Sequence, residues 1–219
     1  MAVTAVTKIN SGQVRFQDPK AVVFFPWSQG KPGTTGYDIH DIVGDTFSLT
    51  QDDADRTEIP WEFGDEPLDE NISLGNRKLT MQCLDYQDDI MANLFGWTKD
   101  STNGVTYAPT QYNELVCTVM LMFEDKCIIM PKVKMDSKTA FENLRTDIAR
   151  GELGGTLYST GVIWGSNDTP NETGLAFMKY PSSSTKSFSI GDTYSGSTWS
   201  GGTKINVSST GEVTTGTGA

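Results

Sequence analysis

Histidine is nearly missing from this chain: its 219 residues include one, His40. Mechanisms that need two imidazoles are therefore excluded, and so are histidine-rich metal centres. Cysteine is scarce as well. Cys83, Cys117 and Cys127 are odd in number and show no C-x-x-C spacing, which argues against a disulfide framework or a zinc site and fits a reducing compartment. Positive charge is in deficit, with 17 Lys and Arg against 28 Asp and Glu and a net charge of −11. Nucleic-acid binders gain affinity by neutralising phosphates with Lys and Arg, so a basic gripping surface is not indicated. No run of about 18 apolar residues occurs, and Met1-Ala-Val-Thr-Ala-Val-Thr-Lys8 lacks the basic and apolar regions of a signal peptide. The expectation is a soluble chain made in a cytoplasm, without membrane insertion.

What is present is ordinary globular material. Apolar residues make up 37%, or about 44% when glycine is counted and tyrosine is not, the usual range for a folded domain. Asp45 to Gln51 (D-T-F-S-L-T-Q) alternates, with Phe47 and Leu49 on one face and Thr46, Ser48 and Thr50 on the other. Arg77 to Cys83 (R-K-L-T-M-Q-C) repeats the design, with Leu79, Met81 and Cys83 inward and Lys78, Thr80 and Gln82 outward. Together they predict a sheet with one wet face. Tyr86 to Phe95 reads as a helix capped by Asp85 and ended by Gly96; Tyr86, Ile90 and Leu94 form its apolar stripe. Ser101 to Thr110 reads as a loop.

Asn113 to Phe123 (N-E-L-V-C-T-V-M-L-M-F) is apolar on both faces and predicts a central strand covered from two sides. A turn at Glu124-Asp125 leads into Lys126 to Met135, whose Pro131 implies an edge or a bulge. Uniform pairing about that turn sets Met122 opposite Cys127 and Cys117 opposite Lys132, so Cys117 and Cys127 cannot bridge. Asp136 to Arg150 carries weak helical spacing over Ala140 to Ile148 but also alternates, and it reads as strand. Gly155 to Trp164 reads as one closing strand, with Gly161 as a bulge. From Gly165 onward Ser, Thr, Gly and Asn dominate, and about 55 such residues would struggle to hold a core of their own. The expected organisation is a β domain over 1–164 and a C-terminal extension or small decorating segment over 165–219.

The usual catalytic signatures fail one by one. His40 has no G-x-S-x-G partner. Gly30-Lys-Pro-Gly33-Thr-Thr-Gly36 lacks the G-K-[ST] ending of a phosphate loop. Asp53 to Glu58 lacks the glycine and distal glutamate of a calcium loop. Carboxylates are plentiful, but nothing singles out a hydrolytic pair. No catalytic residue, metal or cofactor is assigned. One feature survives: Asp52 to Asn71, read as a long acidic loop in which Pro60, Gly64 and Pro67 block regular structure. Its carboxylates Asp52, Asp53, Asp55 and Glu58, with Arg56 as its only cation, surround Ile59, Trp61, Phe63 and Leu68. Large apolar side chains in a charged loop either fold back or anchor on a neighbour, with the carboxylates steering docking.

The order of these elements resembles the major tail tube protein of long-tailed bacteriophages. The matching stretches are D-T-F-S-L-T-Q with the acidic D-D-A-D-R-T-E-I after it, N-R-K-L-T-M-Q-C, D-Y-Q-D-D-I-M-A-N-L-F-G, and the hairpin L-V-C-T-V-M-L-M-F-E-D-K-C-I-I-M-P-K-V-K, over roughly Asp41 to Trp164. The resemblance implies a mainly β fold, a β-sandwich or small barrel of two packed antiparallel sheets with one flanking α-helix. Here a Ser/Thr/Gly-rich C-terminal β extension would follow. It also implies a structural virion protein of the tail, synthesised and assembled in the host cytoplasm. Subunits would join into hexameric rings that stack as a hollow conduit for DNA, with other tail proteins as further partners. Asp52 to Asn71 would reach neighbouring subunits, and Thr46, Ser48, Thr50, Thr80 and Gln82 would line the lumen, past which DNA moves without specific binding. Lys78, Lys132 and Lys134 depart from such a wall, so they are expected at ring contacts or paired with acids. Lys204 to Gly216 is similar to the end of a bacterial immunoglobulin-like repeat, although too short for the whole domain. The competing reading is a carbohydrate-binding or adhesive β-sandwich using Tyr180, Tyr194 and Trp199 as aromatic platforms.

Overall fold

The computed structural model describes residues 19–40, 42, 45–59, 69–84, 88–110, 114–140, 150–165, 170–192 and 201–216. Its first strands are β1 (Ala21–Ser28), β2 (Lys31–Pro32), β3 (Tyr37–Ile39), β4 (Ser48–Gln51), β5 (Asp55–Ile59), β6 (Asp69–Ser73) and β7 (Arg77–Cys83). Helix α1 (Asp88–Leu94) follows, then β8 (Thr98–Asp100), β9 (Val105–Tyr107), β10 (Leu115–Met122), β11 (Lys126–Ala140) and β12 (Arg150–Tyr158). The last strands are β13 (Thr160–Ile163), β14 (Asn171–Thr173), β15 (Ala176–Lys179), β16 (Lys186–Gly191), β17 (Thr203–Val207) and β18 (Val213–Gly216).

The protein is mainly β and antiparallel. A nine-stranded sheet runs β2-β1-β10-β11-β12-β7-β4, with β3 beside β1 and β15 beside β11. A five-stranded sheet runs β14-β13-β16-β17-β18. β10 shows why its sequence is apolar throughout. Val119 and Leu121 enter a core shared with Leu79, Met81, Leu153 and the α1 residues Ile90, Met91 and Leu94, while Met120 and Met122 enter a second core against the smaller sheet. That second core holds Val162, Phe188, Ile190, Ile205 and Val207 from the smaller sheet, and each such buried side chain contributes about 1.5–3 kcal/mol. On the other side α1 lies over β12 and β7. Gly151 leaves the space that Phe95 fills, since a Cβ there would stand 2.5 Å from the Phe95 ring.

The expected hairpin forms at Glu124-Asp125, with Met122 opposite Cys127. The uniform register does not continue. Cys117 faces Val133 rather than Lys132, because Thr118 stands opposite both Pro131 and Lys132 in a β-bulge. Proline has no N–H to donate to the ladder, so a bulge is where a central strand tolerates it. The Thr118 hydroxyl, fully buried, donates to the Pro131 carbonyl at 2.6 Å and accepts from Trp27 Nε1 at 2.9 Å. The three cysteines are buried thiols with no disulfide between them. Burial pushes Cys117 up to about 12; it pushes Cys127 to about 12 as well, with Lys186 pulling weakly the other way.

Several expectations are corrected. Gly155 to Trp164 is not one strand: β12 ends at Tyr158, and after Ser159 the chain enters β13 of the smaller sheet. Gly161 is not a bulge but pairs in register with Glu172 and Gly191. The smaller sheet takes β13 from before residue 165 and β14 and β16 to β18 from after it. Those later strands cover a face of the larger sheet and so share its core. Ser101 to Thr110 is not all loop, because β8 and β9 pair across a turn in which Gly104 takes φ 64° and Asp100 accepts the Thr102 and Asn103 amides at 3.0 and 3.2 Å. Asp136 to Ala140 is strand, continuing β11, while 141–149 lie outside the described residues. Helix α1 ends at the expected glycine, Gly96 with φ 69°, whereas Asp85 and Tyr86 lie outside the described residues.

Thr118→Val keeps the shape of the side chain but strands the Trp27 N–H and the Pro131 carbonyl. It should lower stability by about 1–3 kcal/mol, read as a lower urea midpoint with an unchanged slope. An unmoved midpoint would show that the hydroxyl does not hold the bulge.

Candidate functional site

Beyond the bulge, β11 leaves the cover of the smaller sheet. Its inward residues Val133 and Met135 stay buried, while Lys132, Lys134, Asp136 and Lys138 emerge on the opposite face. The strands beside it share that alternation. The register sets Lys134, Thr156, Lys78 and Thr50 in one row across β11, β12, β7 and β4. Asp136, Gly154, Thr80 and Ser48 form the next row, and Lys138, Glu152 and Gln82 the third. Underneath, Leu79, Met81 and Leu153 are 0–2% exposed, so one half of the larger sheet is sealed below and wet above.

The expected polar residues come together on this face. Thr50 and Thr80 are exposed, and Ser48 and Gln82 are half-buried. Thr46 lies just before β4, where its hydroxyl accepts the Gln82 amide at 3.1 Å and continues the third row. Gln82 Nε2 donates to Glu152 Oε1 at 3.3 Å. Sequence reading did not place Thr156, Gly154, Asp136 or Lys138 here. The alternation of K-V-K-M-D-S-K after Pro131 carries that signal once the bulge is known.

Three lysines of the face, Lys78, Lys132 and Lys134, are paired with acids, one of the two placements expected for them. Lys78 Nζ lies 2.9 Å from Asp52, Lys134 Nζ 2.8 Å from Glu114, and Lys132 Nζ 2.6 Å from Asp192. Lys132 also sits over the Trp27 ring, 4.9 Å from its centroid. Asp192 is fixed from several sides, because its carboxylate also accepts the Thr160 hydroxyl at 2.9 Å and its amide donates to Gly30 O at 2.8 Å.

The acidic segment departs from the expected loop. Its two ends, Asp55–Ile59 and Asp69–Ser73, pair as the β5–β6 hairpin. The breakers Pro60, Gly64 and Pro67 are confined to the connection between them, and neither strand contains proline or glycine. Asp55, Arg56, Glu58 and Ile59 therefore lie on β5. Asp52 and Asp53 are exposed just before it, and Trp61, Phe63 and Leu68 lie outside the described residues. The base of the hairpin is tight: a Cβ on Gly75 would collide with the Asp52 and Asp53 carbonyl oxygens.

No family model matches the chain. No curated protein matches it either. Among solved structures it is similar to a chain of the cryo-EM structure of the anti-feeding prophage baseplate, 6-fold symmetrised, at 10% identity and a TM-score of 0.35, covering 81% of this chain and 97% of that one.

Of the three aromatic residues Tyr180, Tyr194 and Trp199, the described residues include Tyr180 alone. Tyr180 is half-buried, its hydroxyl donates to Phe123 O at 2.9 Å, and its ring fills the space beside Gly211. Burial first, and the neighbouring Cys127 and Asp125 second, raise its pKa above the usual phenol value. Tyr194 and Trp199 lie outside the described residues. Among the described residues no group of three or more His, Cys, Asp or Glu is placed to hold a metal, and no helix is long and apolar enough to cross a membrane.

Chemically, the face offers hydroxyls, an amide and masked cations. Partly exposed ion pairs add at most about 1 kcal/mol each to stability, so their larger effect is on the field presented to a polyanion. Replacing Asp52→Asn, Glu114→Gln and Asp192→Asn together should unmask the lysines. In filter binding at about 0.15 M salt the native chain should not retain duplex DNA, while the triple variant should retain it with an affinity that falls as salt rises. Equal retention by both would show that the pairs do not mask the face.

Proposed function

We propose that this chain is a non-catalytic structural subunit of a phage-tail-type tube, which self-assembles into stacked hexameric rings around a DNA-conducting lumen. The observation that carries this reading is the wet half-sheet: Ser48, Thr50, Thr80, Gln82, Gly154 and Thr156 present small or uncharged groups, and Lys78, Lys132 and Lys134 are each held by a carboxylate. A wall of that kind touches passing phosphates without gripping them, since binding would require unmasked cations to displace counterions.

The same half-sheet has edges suited to closure. Among the described residues β4 pairs only with β7, and β1 reaches along β10 no farther than Cys117, so Leu115 and Val116 lack a neighbour on that side. Two different open edges on one subunit make a head-to-tail contact, and such contacts close into rings when the rotation permits. Closure would also remove the exposed edges that otherwise invite aggregation. The β5–β6 hairpin leaves the sheet directly after β4, at one of these edges, and its carboxylates would steer docking to the next subunit. Other tail proteins would meet the ends of the tube.

Negative-stain electron microscopy of the purified protein should show rings or tubes of uniform width. A monodisperse monomer at all attainable concentrations would count against assembly. Deleting 53–70 should leave a folded monomer that does not polymerise, and an intact tube from that variant would refute the role given to the hairpin.

A further inference from the structure

Asn103-Gly104 is the single Asn-Gly pair of the chain, and the fold sets it at the tip of the β8–β9 hairpin. The register Thr98↔Tyr107, Lys99↔Thr106 and Asp100↔Val105 leaves Ser101 to Gly104 as the turn, and all four of these residues are exposed. Gly104 takes φ 64°, the left-handed region that glycine enters without steric cost. No Cβ stands beside its backbone nitrogen, so the side chain of the preceding residue can approach that nitrogen.

We propose that Asn103 is a site of spontaneous deamidation in the folded protein, and that replacing its amide by a carboxylate loosens the β8–β9 hairpin. The chemistry needs no enzyme and no co-reactant beyond water. The Gly104 nitrogen attacks Cγ of Asn103; the new N–Cγ bond closes a succinimide ring, the Cγ–Nδ2 bond breaks, and Nδ2 departs as ammonia with the proton that the Gly104 nitrogen gives up. Water then opens the ring. Addition at Cγ breaks its bond to the Gly104 nitrogen and gives aspartate, whereas addition at the backbone carbonyl carbon of Asn103 gives isoaspartate, in which the chain runs through the former side chain. Nothing is oxidised or reduced: ammonia leaves, water enters, and the product carries one further negative charge.

The hairpin sets how readily this happens. Asp100 holds the turn with both carboxylate oxygens, one accepting the Thr102 and Asn103 amides at 3.0 and 3.2 Å and the other accepting Asn103 Nδ2 at 2.8 Å. The Asn103 side chain, more than the backbone amides, keeps the Asp100 carboxyl below its ordinary range. Ring closure forfeits that side-chain bond, because Nδ2 is the atom that leaves. Asp100 therefore stabilises the starting amide and slows its loss, and the exposure of the turn keeps this restraint small because water competes for the same bond.

The same contact decides the consequence. Once the amide is a carboxylate, the donor facing Asp100 becomes an acceptor of like charge, and the two groups repel. One of the three bonds that close the turn on Asp100 is then gone. The isoaspartyl form also adds a methylene to the backbone between β8 and β9.

Peptide mapping by mass spectrometry of the purified full-length protein, aged in neutral and in mildly alkaline buffer, tests the modification. Aspartate and isoaspartate should accumulate at Asn103 ahead of Asn93, Asn171 and Asn206, whose next residues carry side chains. Accumulation should be faster at the higher pH, because the Gly104 nitrogen attacks after losing its proton. Asp100→Ala should raise the rate about threefold or more, the worth of one exposed hydrogen bond, and Asn103→Gln should abolish the signal. No conversion of Asn103 in the folded protein, over a period in which a synthetic peptide of residues 98–107 converts fully, would overturn the proposal. Hydrogen exchange reads the consequence. In Asn103→Asp the amides of β8 and β9 should exchange at least about threefold faster than in the native chain while β7 and β12 keep their rates. Unchanged exchange in β8 and β9 would overturn the loosening.

Discussion

Thr118 standing opposite both Pro131 and Lys132 is the constraint on which the rest of the architecture turns. Before this bulge, β11 is covered on both faces: Ile128 and Met130 enter one core, Cys127 and Ile129 the other. The extra residue shifts the alternation by one position. Val133 and Met135 then stay in the first core, and Lys132 and Lys134 turn to the face that the smaller sheet no longer covers. Without the shift, those lysines would point into the α1-side core and Val133 and Met135 would face water. One long strand thereby serves both a two-sided packed region and a one-sided wet region. The buried hydroxyl bridge through Trp27, Thr118 and Pro131 satisfies the polar groups that the irregularity would otherwise strand.

The electrostatics follow from the same geometry. Three lysines of the wet face, Lys78, Lys134 and Lys132, each find a carboxylate outside the strand that carries them: Asp52 beyond β4, Glu114 before β10, Asp192 after β16. These pairs contribute little to folding because they are partly exposed. Their effect is to offset three of the cations on a face that also carries Asp136, Glu152 and Lys138. The chain's net charge of −11 is placed unevenly, with much of its excess in the segment that forms the β5–β6 hairpin.

Much of the β architecture was legible in the sequence where a short-range pattern decides it. The alternation of R-K-L-T-M-Q-C placed Leu79, Met81 and Cys83 in the core, and the two-sided hydrophobicity of β10 announced its central position. The Glu124-Asp125 turn was likewise foreseen, and pairing with acids was one of the two placements expected for Lys78, Lys132 and Lys134. The misses are long-range. The Cys117 pairing was off by one because Pro131 signals a bulge but not which strand carries the extra residue. The polar stretch after Gly165 looked too poor in apolar residues to stand alone, and it does not stand alone, since Phe188, Ile190, Ile205 and Val207 pack on Met120, Met122 and Ile129 of another sheet. Local misses were the β5–β6 hairpin inside the acidic segment, the break after Tyr158, and the β8–β9 hairpin, although Asn103-Gly104 is a turn pair that favours the last.

The central claim, that the wet half-sheet faces an enclosed channel in an assembled particle, is tested most directly by size-selective labelling at Thr80→Cys, in the middle row of the face. The native cysteines are buried and give little background. The account predicts that a small maleimide labels both dissociated and assembled protein, whereas a maleimide coupled to a globular carrier labels only the dissociated form. Equal labelling of both forms by the bulky reagent would contradict it.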